Sequence, residues 1–286
     1  MRRLLLVGCG DIALRLVDKV KERYKIFGLS RSVDKLSIIR DRGLIPILGD
    51  LDDINSLNKI SGISNEIVYL APPSPQNNLD KRTSNLLRAL NSTGILPQRL
   101  IYISTSGVYG DAQGRVVSEV SRVRPQSLRA RRRLNGENLV RSFGKTTGVA
   151  VSILRVSGIY SKDRLPISRL QQGTPMIRTE EDSYTNHIHV KDLVATIIAC
   201  LRKGRPGRCY NVSDNSRLKI GDYFDLVANS LGVQKPRRVT YEEGCVVIPS
   251  SVFSFIKESR ILDNHRLMTE LLSELQFPTV NDGVLK

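Results

Sequence analysis

Apolar runs and helix-spaced apolar residues alternate along the first half of the chain. Residues 4–7 form a continuous apolar run, which is typical of a strand buried on both faces. Ile12, Leu16, Val17 and Val20 then recur on one helical face. Further strands are predicted at 25–29, 44–48, 66–71, 99–104 and 149–156, and further helices at 78–91 and 127–142. Strands that alternate with helices pair in parallel through right-handed crossovers, so this half predicts a doubly wound α/β sheet.

The alternation changes after residue 156. Residues 187–201 predict a short strand followed by an apolar helix, and residues 209–212 predict one more strand. From about residue 213 the pattern is mostly helical, with helices predicted near 220–231 and 264–275. We therefore predict a doubly wound domain over 1–160, to which 187–212 return, and a smaller, mostly helical lobe made of 161–186 and 213–286.

The charge balance is strongly basic, with 44 Lys and Arg against 28 Asp and Glu and a formal net charge of +16 over 286 residues. Such a charge attracts polyanions and phosphorylated small molecules. No apolar run reaches the roughly 18 residues of a membrane-spanning helix, and the run after the basic N-terminus is too short for a secretory signal. The four cysteines form no C-x-x-C pair, which favours reduced thiols and a cytoplasmic location.

A glycine-rich turn joins the first predicted strand to the first predicted helix. Its sequence fits G-x-G-x-x-G/A over Gly8, Cys9, Gly10, Asp11, Ile12 and Ala13. Gly8 permits the tight turn, Gly10 lets the backbone approach a pyrophosphate, and Ala13 lets helix and strand pack closely. Asp11 and Ile12 begin a helix, and the free N–H groups and positive dipole end at its N-terminus favour phosphate. An ordinary strand–helix turn is the alternative, but the position after a strand favours a Rossmann-like dinucleotide site.

The ends of the next strands indicate which dinucleotide binds. An acidic residue about 20 positions after the turn holds the ribose of NAD, but this strand ends in Ser30 and Arg31. Arg31 suits a 2′-phosphate and Ser30 adds a hydrogen bond, so we predict NADP, with NAD as the alternative. Asp50 and Leu51 follow the third strand where an adenine would lie, although Asp50 could instead cap the next helix. Ala71, at the end of the fourth strand, completes the predicted cofactor site.

Several segments together resemble the extended short-chain dehydrogenase/reductase family, in particular its NAD-dependent epimerase/dehydratase branch. The resemblance covers nearly the whole chain and includes the glycine turn, residues 102–110 (YISTSGVYG), residues 186–193 (NHIHVKDL) and residues 210–212 (YNV). Thr105 falls where the family has its catalytic Ser or Thr. The resemblance implies that substrate lies between the carboxyl edge of the sheet and the small lobe.

The catalytic pair of that family is altered in this chain. The family carries Tyr-x-x-x-Lys after a Pro-x-Ser segment and before a Glu, and here the frame of Pro125, Ser127 and Glu137 holds Arg129 and Arg133 at the two positions. An arginine stays protonated below about pH 12, so Arg129 is no general base. Arg133 can still donate to the ribose that binds the nicotinamide. The chain resembles the atypical members of the family.

Three explanations remain open for the altered pair. Another residue could transfer the proton, with Tyr109 as the first candidate and Tyr160 as the second, and Arg129 or Arg133 would then lower the pKa of Tyr109. Arg129 could act only electrostatically, on a developing oxyanion or a substrate phosphate. Finally, the protein could bind NADP(H) without turnover, as a regulatory or redox-sensing protein. The preferred hypothesis is an enzyme that acts on a nucleotide-linked sugar or a similar polar substrate.

Residues 122–145 hold eight Lys or Arg and one acid, Glu137. We interpret Arg129 and Arg133 as part of a phosphate-rich pocket, and Arg131 and Arg132 as pointing elsewhere. No helix-turn-helix, zinc-finger or aromatic RNA-reading pattern is present, so the predicted partner is a small molecule, phosphorylated or nucleotide-linked, rather than nucleic acid or a membrane. A homodimer is left open.

The histidines raise the question of a metal site. His187 and His189 alternate on a predicted strand, so both side chains face the same way. No third ligand is nearby in sequence. We therefore predict a structural role for both histidines and no metal.

Overall fold

The computed structural model describes residues 1–76 and 79–286, with only the backbone at Ser251. Its strands are β1 (Arg2–Val7), β2 (Tyr24–Ser30), β3 (Ile45–Leu48), β4 (Glu66–Tyr69), β5 (Arg99–Thr105), β6 (Val116–Val117), β7 (Ala150–Val156), β8 (Gly158–Tyr160), β9 (Met176–Ile177), β10 (Tyr184–Thr185), β11 (His187–His189), β12 (Cys209–Val212), β13 (Leu218–Lys219), β14 (Arg238–Val239) and β15 (Ile261–Leu262). Its α-helices are α1 (Asp11–Val20), α2 (Asp34–Asp41), α3 (Lys81–Leu90), α4 (Leu128–Thr147), α5 (Ile167–Gln171), α6 (Val190–Lys203), α7 (Ile220–Leu231), α8 (Tyr241–Val247), α9 (Ser250–Ile256), α10 (His265–Glu270) and α11 (Val280–Gly283). The helix predicted at 78–91 begins at Lys81, and Asn78 lies outside the described residues.

Seven strands form a central parallel sheet in the order β3-β2-β1-β4-β5-β7-β12. The chain first builds outward from β1 to β3 and then returns to the other side of β1 with β4. The carboxyl ends of β1 and β4 therefore border a crevice, which is where open α/β sheets bind ligands. The predicted Rossmann-like doubly wound sheet is confirmed.

Two hydrophobic layers cover the sheet because its strands are apolar on both faces. On one face, α1 packs beside α6 and α6 packs on β5, with Leu16, Val17 and Ile197 fully buried in one cluster with the residues of the sheet. On the other face, α3 and α4 pack together, with Leu86 and Val140 buried. The fully buried run from Leu4 to Val7 is the part of the sequence that predicted this arrangement most directly.

The segments outside the central sheet form short strand pairs and helices. β10 pairs antiparallel with β13, whereas β9 pairs with β14 and β8 with β11 in parallel. These segments have hydrophobic clusters of their own around Phe224 and Phe253. Leu267, Leu271 and Leu275, which the sequence placed in the second lobe, instead join the core of the central sheet. The proposed division of the chain into domains stays a prediction.

Among the residues described, no helix combines the length and the apolar character that crossing a bilayer requires.

Candidate functional site

A cavity of about 740 Å³ lies at the carboxyl edge of the central sheet, and its walls also include residues of β10, α7 and α9 outside that sheet. Its walls include all eleven residues predicted for the cofactor, namely Gly8, Gly10, Asp11, Ile12, Ala13, Ser30, Arg31, Asp50, Leu51, Ala71 and Arg133. Thr105 and Arg129 line the same cavity. The fold thus brings together residues that are far apart in sequence, because each follows the carboxyl end of a parallel strand or begins a neighbouring helix.

The two glycines of the turn have different surroundings. Gly8 adopts a φ of +98°, and a Cβ added there would lie 2.7 Å from the backbone nitrogen of Ala71. A Cβ added to Gly10 would meet no atom within 4 Å, so this residue leaves open space in the cavity wall. The first intrahelical bond of α1 runs from the Leu14 N–H to the Gly10 carbonyl, and the preceding N–H groups of the first turn are available to an anion. These features fit a pyrophosphate.

The carboxylate of Asp11 is neutralised by two arginines. Its oxygens accept from Arg15 Nε at 2.7 Å and from Arg164 Nη1 at 2.8 Å, and Arg15 also pairs with Asp163. An acid at the start of α1 would repel a phosphate, but these ion pairs compensate its charge. They also fasten the glycine turn to the segment after β8.

The other end of the cavity is basic. Arg31 and Lys35 line it, both are exposed, and β2 ends without a carboxylate at Ser30. Asp50 Oδ1 accepts from the Asp52 N–H at 3.0 Å, whereas Asp53 caps the short 3₁₀ helix that follows. The alternative role of Asp50 as a helix cap is therefore wrong, because the chain turns once more before that helix begins.

Thr105 and the first turn of α4 meet at the middle of the cavity. Thr105 Oγ1 accepts from the Gly107 N–H at 3.2 Å, and Ser127 Oγ caps α4 by accepting from the Ala130 N–H at 3.2 Å. A Cβ added to Gly107 would touch both Thr105 and Ala130, at 3.6 and 3.7 Å. The segment after β5 therefore packs directly on the helix that carries the altered catalytic pair.

The two arginines of that pair have different contacts. Arg133 Nη1 donates to the Ala71 carbonyl at 3.2 Å, which places it beside the glycine turn. Arg129 lies with its guanidinium carbon 4.7 Å from the ring centroid of Phe255 in α9. Arg131 and Arg132 do not line the cavity, as the sequence predicted, and donate to the carbonyls of nearby backbone.

Tyr109, the first candidate for proton transfer, is not on the cavity wall. It is 2% exposed, donates to Asn211 Oδ1 at 2.6 Å and accepts from Arg155 Nη1 at 2.9 Å. Burial raises the pKa of Tyr109 to about 12, and the opposing effect of Arg155 is smaller. The prediction that Arg129 or Arg133 lowers this pKa is wrong, because neither contacts the hydroxyl and burial disfavours the phenolate.

Tyr160, the second candidate, is also absent from the cavity wall. It is buried, donates to the Thr279 carbonyl at 3.1 Å, and packs edge-on against His189. Burial raises the pKa of Tyr160 well above its ordinary value. His187 stacks on Tyr223, and burial lowers the pKa of His187 to about 3. Within 1–76 and 79–286, no group of three or more His, Cys, Asp or Glu could hold a metal ion.

Tyr184 is a cavity residue that the sequence did not single out. Of the nine tyrosines in the chain, all within the described residues, only Tyr184 lines the cavity. It is half-buried on β10, and its hydroxyl makes no hydrogen bond to any described residue. Its register partner on β13 is Lys219, whose Nζ lies 5.8 Å from the ring centroid of Tyr184. Strands of two residues leave no periodic pattern, so nothing in the sequence marked this pair.

Comparison with known proteins gives a consistent picture. Residues 8–213 match the model of the NAD dependent epimerase/dehydratase family. Protein YeeZ of Escherichia coli (strain K12) is 23% identical over 290 residues, which span 97% of this chain and 97% of that protein.

Two solved structures show the same fold over nearly the full length. A functionally unknown conserved protein from Silicibacter pomeroyi DSS has a TM-score of 0.84 at 25% identity, covering 99% of this chain and 97% of that one. UDP-glucuronic acid 4-epimerase from Bacillus cereus, in complex with UDP-glucuronic acid and NAD, has a TM-score of 0.78 at 21% identity, covering 99% and 96%.

Proposed function

Because the chain belongs to the NAD-dependent epimerase/dehydratase family, we propose that it is an NADP(H)-dependent enzyme with an altered active site. Its reaction is an epimerisation, dehydration or reduction of a polar, nucleotide-linked substrate. The observation that carries the proposal is that one cavity is lined by the glycine turn, by Arg31 and Lys35 after β2, and by Thr105.

The cofactor would be held along the carboxyl edge of the sheet. Gly10 and the first N–H groups of α1 suit the pyrophosphate, and Arg133 suits the hydroxyls of the nicotinamide ribose. Arg31 and Lys35 suit a 2′-phosphate, since a planar guanidinium makes paired hydrogen bonds to phosphate oxygens. The Bacillus cereus epimerase binds NAD. The basic end of the cavity in this chain supports NADP instead.

Calorimetry with NADPH and NADH tests the cofactor proposal. We expect NADPH to bind at least about tenfold more tightly, because its extra phosphate makes charge-assisted hydrogen bonds to Arg31. Arg31→Ala should remove this preference and leave NADH affinity nearly unchanged. Arg40→Ala, which changes an exposed cation of α2 outside the cavity, is the matched control. Equal affinities of the wild-type protein for the two cofactors would refute NADP.

Two hydroxyl groups in the cavity are suited to the chemical step. The bound nicotinamide would supply or accept a hydride. Thr105 would hydrogen-bond the reacting oxygen of the substrate, in the place that the family gives to its Ser or Thr. Tyr184 would transfer the proton, because it lines the cavity and its hydroxyl makes no hydrogen bond to the described residues. Tyr184 and Lys219 supply, across β10 and β13, the residue types that α4 lacks.

Turnover measurements test these roles. With UDP-glucuronate, UDP-glucose and dTDP-glucose as substrates, NADPH absorbance follows a net reduction, and chromatography of the nucleotide sugars follows epimerisation and dehydration, which return the cofactor to its starting state. We expect Tyr184→Phe to lower kcat about 100-fold or more, as is usual for the loss of a general acid, with a small change in KM. Thr105→Ala should act similarly, whereas Tyr241→Phe, outside the cavity, should not. Unchanged turnover in Tyr184→Phe would refute its role.

If NADPH binds and no substrate turns over, the alternative of a regulatory or redox-sensing protein is favoured, as the two arginines at the catalytic positions suggest.

A further inference from the structure

The cations at the start of α4 are not neutralised by carboxylates. Within the part of the chain that the structure describes, Arg129, Arg131, Arg132 and Arg133 make no ion pair with a carboxylate, and their partners are backbone carbonyls, aromatic rings and the Tyr102 hydroxyl. The other arginines that line the cavity near them behave differently. Arg164 pairs with Asp11 and Arg260 pairs with Glu258, each at 2.8 Å.

The position of Arg129 in the first turn of α4 makes this excess of positive charge more unfavourable. α4 is 20 residues long and has no acid in its first turn, where Arg129 adds a positive charge to the positive end of the helix dipole. Like charges at this end are unfavourable in the absence of an anion. An anion beside Arg129 would therefore stabilise this end of the helix.

Arg129 has donors to offer such an anion. Its guanidinium makes no hydrogen bond or ion pair to the described residues, and the ring of Phe255 packs on it. An aromatic ring covers a face of the group, whereas the N–H donors lie in its plane and stay available. Phe255 thereby restrains the side chain at the cavity wall without using its hydrogen bonds.

The cofactor does not account for this cation. Its pyrophosphate is assigned to α1, and its 2′-phosphate to Arg31 after β2. Arg129 is on α4, which packs on β5, and β5 is three strand spacings from β2, or roughly 14 Å. The nicotinamide end carries no negative charge, so an anion at Arg129 has to belong to the substrate.

We propose that Arg129 binds a carboxylate of the substrate next to its reacting carbon, and so makes the enzyme specific for acidic sugars or similar acids. This inference rests on the proposed function for the identity of the neighbouring cofactor. The carboxylate lies near the reaction because the first turn of α4 packs against the Thr105 segment. The two oxygens of a carboxylate match the planar fork of one guanidinium, and a single charge balances it.

The matched pair UDP-glucuronate and UDP-glucose tests the proposal, since the two differ only by a carboxylate in place of a hydroxymethyl group. Both are titrated calorimetrically into the full chain, with and without NADPH. We expect UDP-glucuronate to bind at least about tenfold more tightly, the effect of one charge-assisted pair of hydrogen bonds. Arg129→Gln should bring the two affinities to within about threefold of each other. Arg131→Gln, on the same helix outside the cavity, should retain the preference.

Equal binding of the two ligands, binding of neither, or a preference that survives in Arg129→Gln would overturn the proposal. Inorganic phosphate and oxamate serve as competitors, and displacement of UDP-glucuronate by phosphate alone would assign the subsite to a phosphate and overturn it as well. If NADPH fails to bind while the preference and its dependence on Arg129 persist, the carboxylate subsite stands and the proposed function falls.

Discussion

Gly8 and Gly10 are two positions apart and are constrained by different parts of the molecule. Gly8 has a left-handed backbone, and its missing side chain makes room for the backbone of Ala71 at the end of β4. Gly10 has an extended backbone, with φ −92° and ψ −168°, and faces open space. The fold therefore requires the first glycine, whereas only a ligand would require the second.

This difference predicts opposite results for two substitutions. Gly8→Ala should lower the free energy of unfolding by about 2 kcal/mol or more, because the residue is strained and its Cβ meets backbone that cannot move freely. Gly10→Val should cost at most about 1 kcal/mol, the price of a poor helix cap, and weaken NADPH binding at least tenfold. Urea unfolding and calorimetry measure the two effects. Normal NADPH binding by Gly10→Val would contradict the assignment of the pyrophosphate.

At the scale of elements, α4 combines packing with the lining of the cavity. Gly136 lies so close to Tyr102 that an added Cβ would be 2.2 Å from its hydroxyl, which fixes the helix against β5. Glu137 is 1% exposed and accepts from Arg155 Nε and Nη2, at 3.0 and 2.8 Å, and from Ser104. A buried ion pair with its hydrogen bonds satisfied is costly to break, so this network holds α4, β5 and β7 in one arrangement. The Glu of the family frame is thus structural here.

The same helix shows what the sequence could predict and what it could not. The spacing of Arg129 and Arg133 within the frame predicts where they lie, because residues four apart in a helix lie on the same face. The surroundings of Tyr109 could not be predicted, since its partners Asn211 and Arg155 come from distant strands. Its loop position suggested access to the cavity, but long-range packing buries it.

The helices and strands that the sequence predicts are those with a clear pattern of apolar residues. β1 was predicted because four successive apolar residues leave few alternatives, and α1 because its apolar face repeats cleanly. α2 was not identified, since Ile39 is its only buried residue and Ile38 is 51% exposed. The two-residue strands β10 and β13 exist only through pairing across the fold. Tyr184 lies on one of them, so a residue of the candidate site was missed with its element.

For the whole molecule, buried polar groups lie where the chain segments outside the central sheet pack against it. Asp192 at the start of α6 accepts from the N–H groups of Gln276 and Phe277, at 2.8 and 3.0 Å. Asp214, after β12, donates its N–H to the His187 carbonyl at 2.7 Å, and its Oδ1 accepts from the Ser216 N–H at 2.9 Å. The two carboxyls anchor chain segments that leave the sheet, and both are nearly inaccessible to water.

Asp214 should make stability depend on pH. Burial raises the pKa of Asp214 to about 7, whereas the pKa of an aspartate in an unfolded chain is about 3.9. Between these values the folded state holds a proton that the unfolded state has lost, so the free energy of unfolding falls as pH rises and the full penalty applies above pH 7. Asp214→Asn, which keeps the Oδ1 acceptor, should therefore match the wild-type protein at about pH 4 and exceed its stability by about 4 kcal/mol at about pH 8.

Thermal and urea unfolding of both proteins across this range measure the difference. His187 and His189, whose pKa values burial lowers to about 3 and about 4, titrate in both proteins, so their contribution cancels in the comparison. Asp41→Asn, an exposed carboxyl of α2, is the matched control and should show a difference that does not change with pH. A constant difference for Asp214→Asn would mean that this carboxyl is already ionised in the folded protein at low pH. The segment after β12 would then pack around a buried charge.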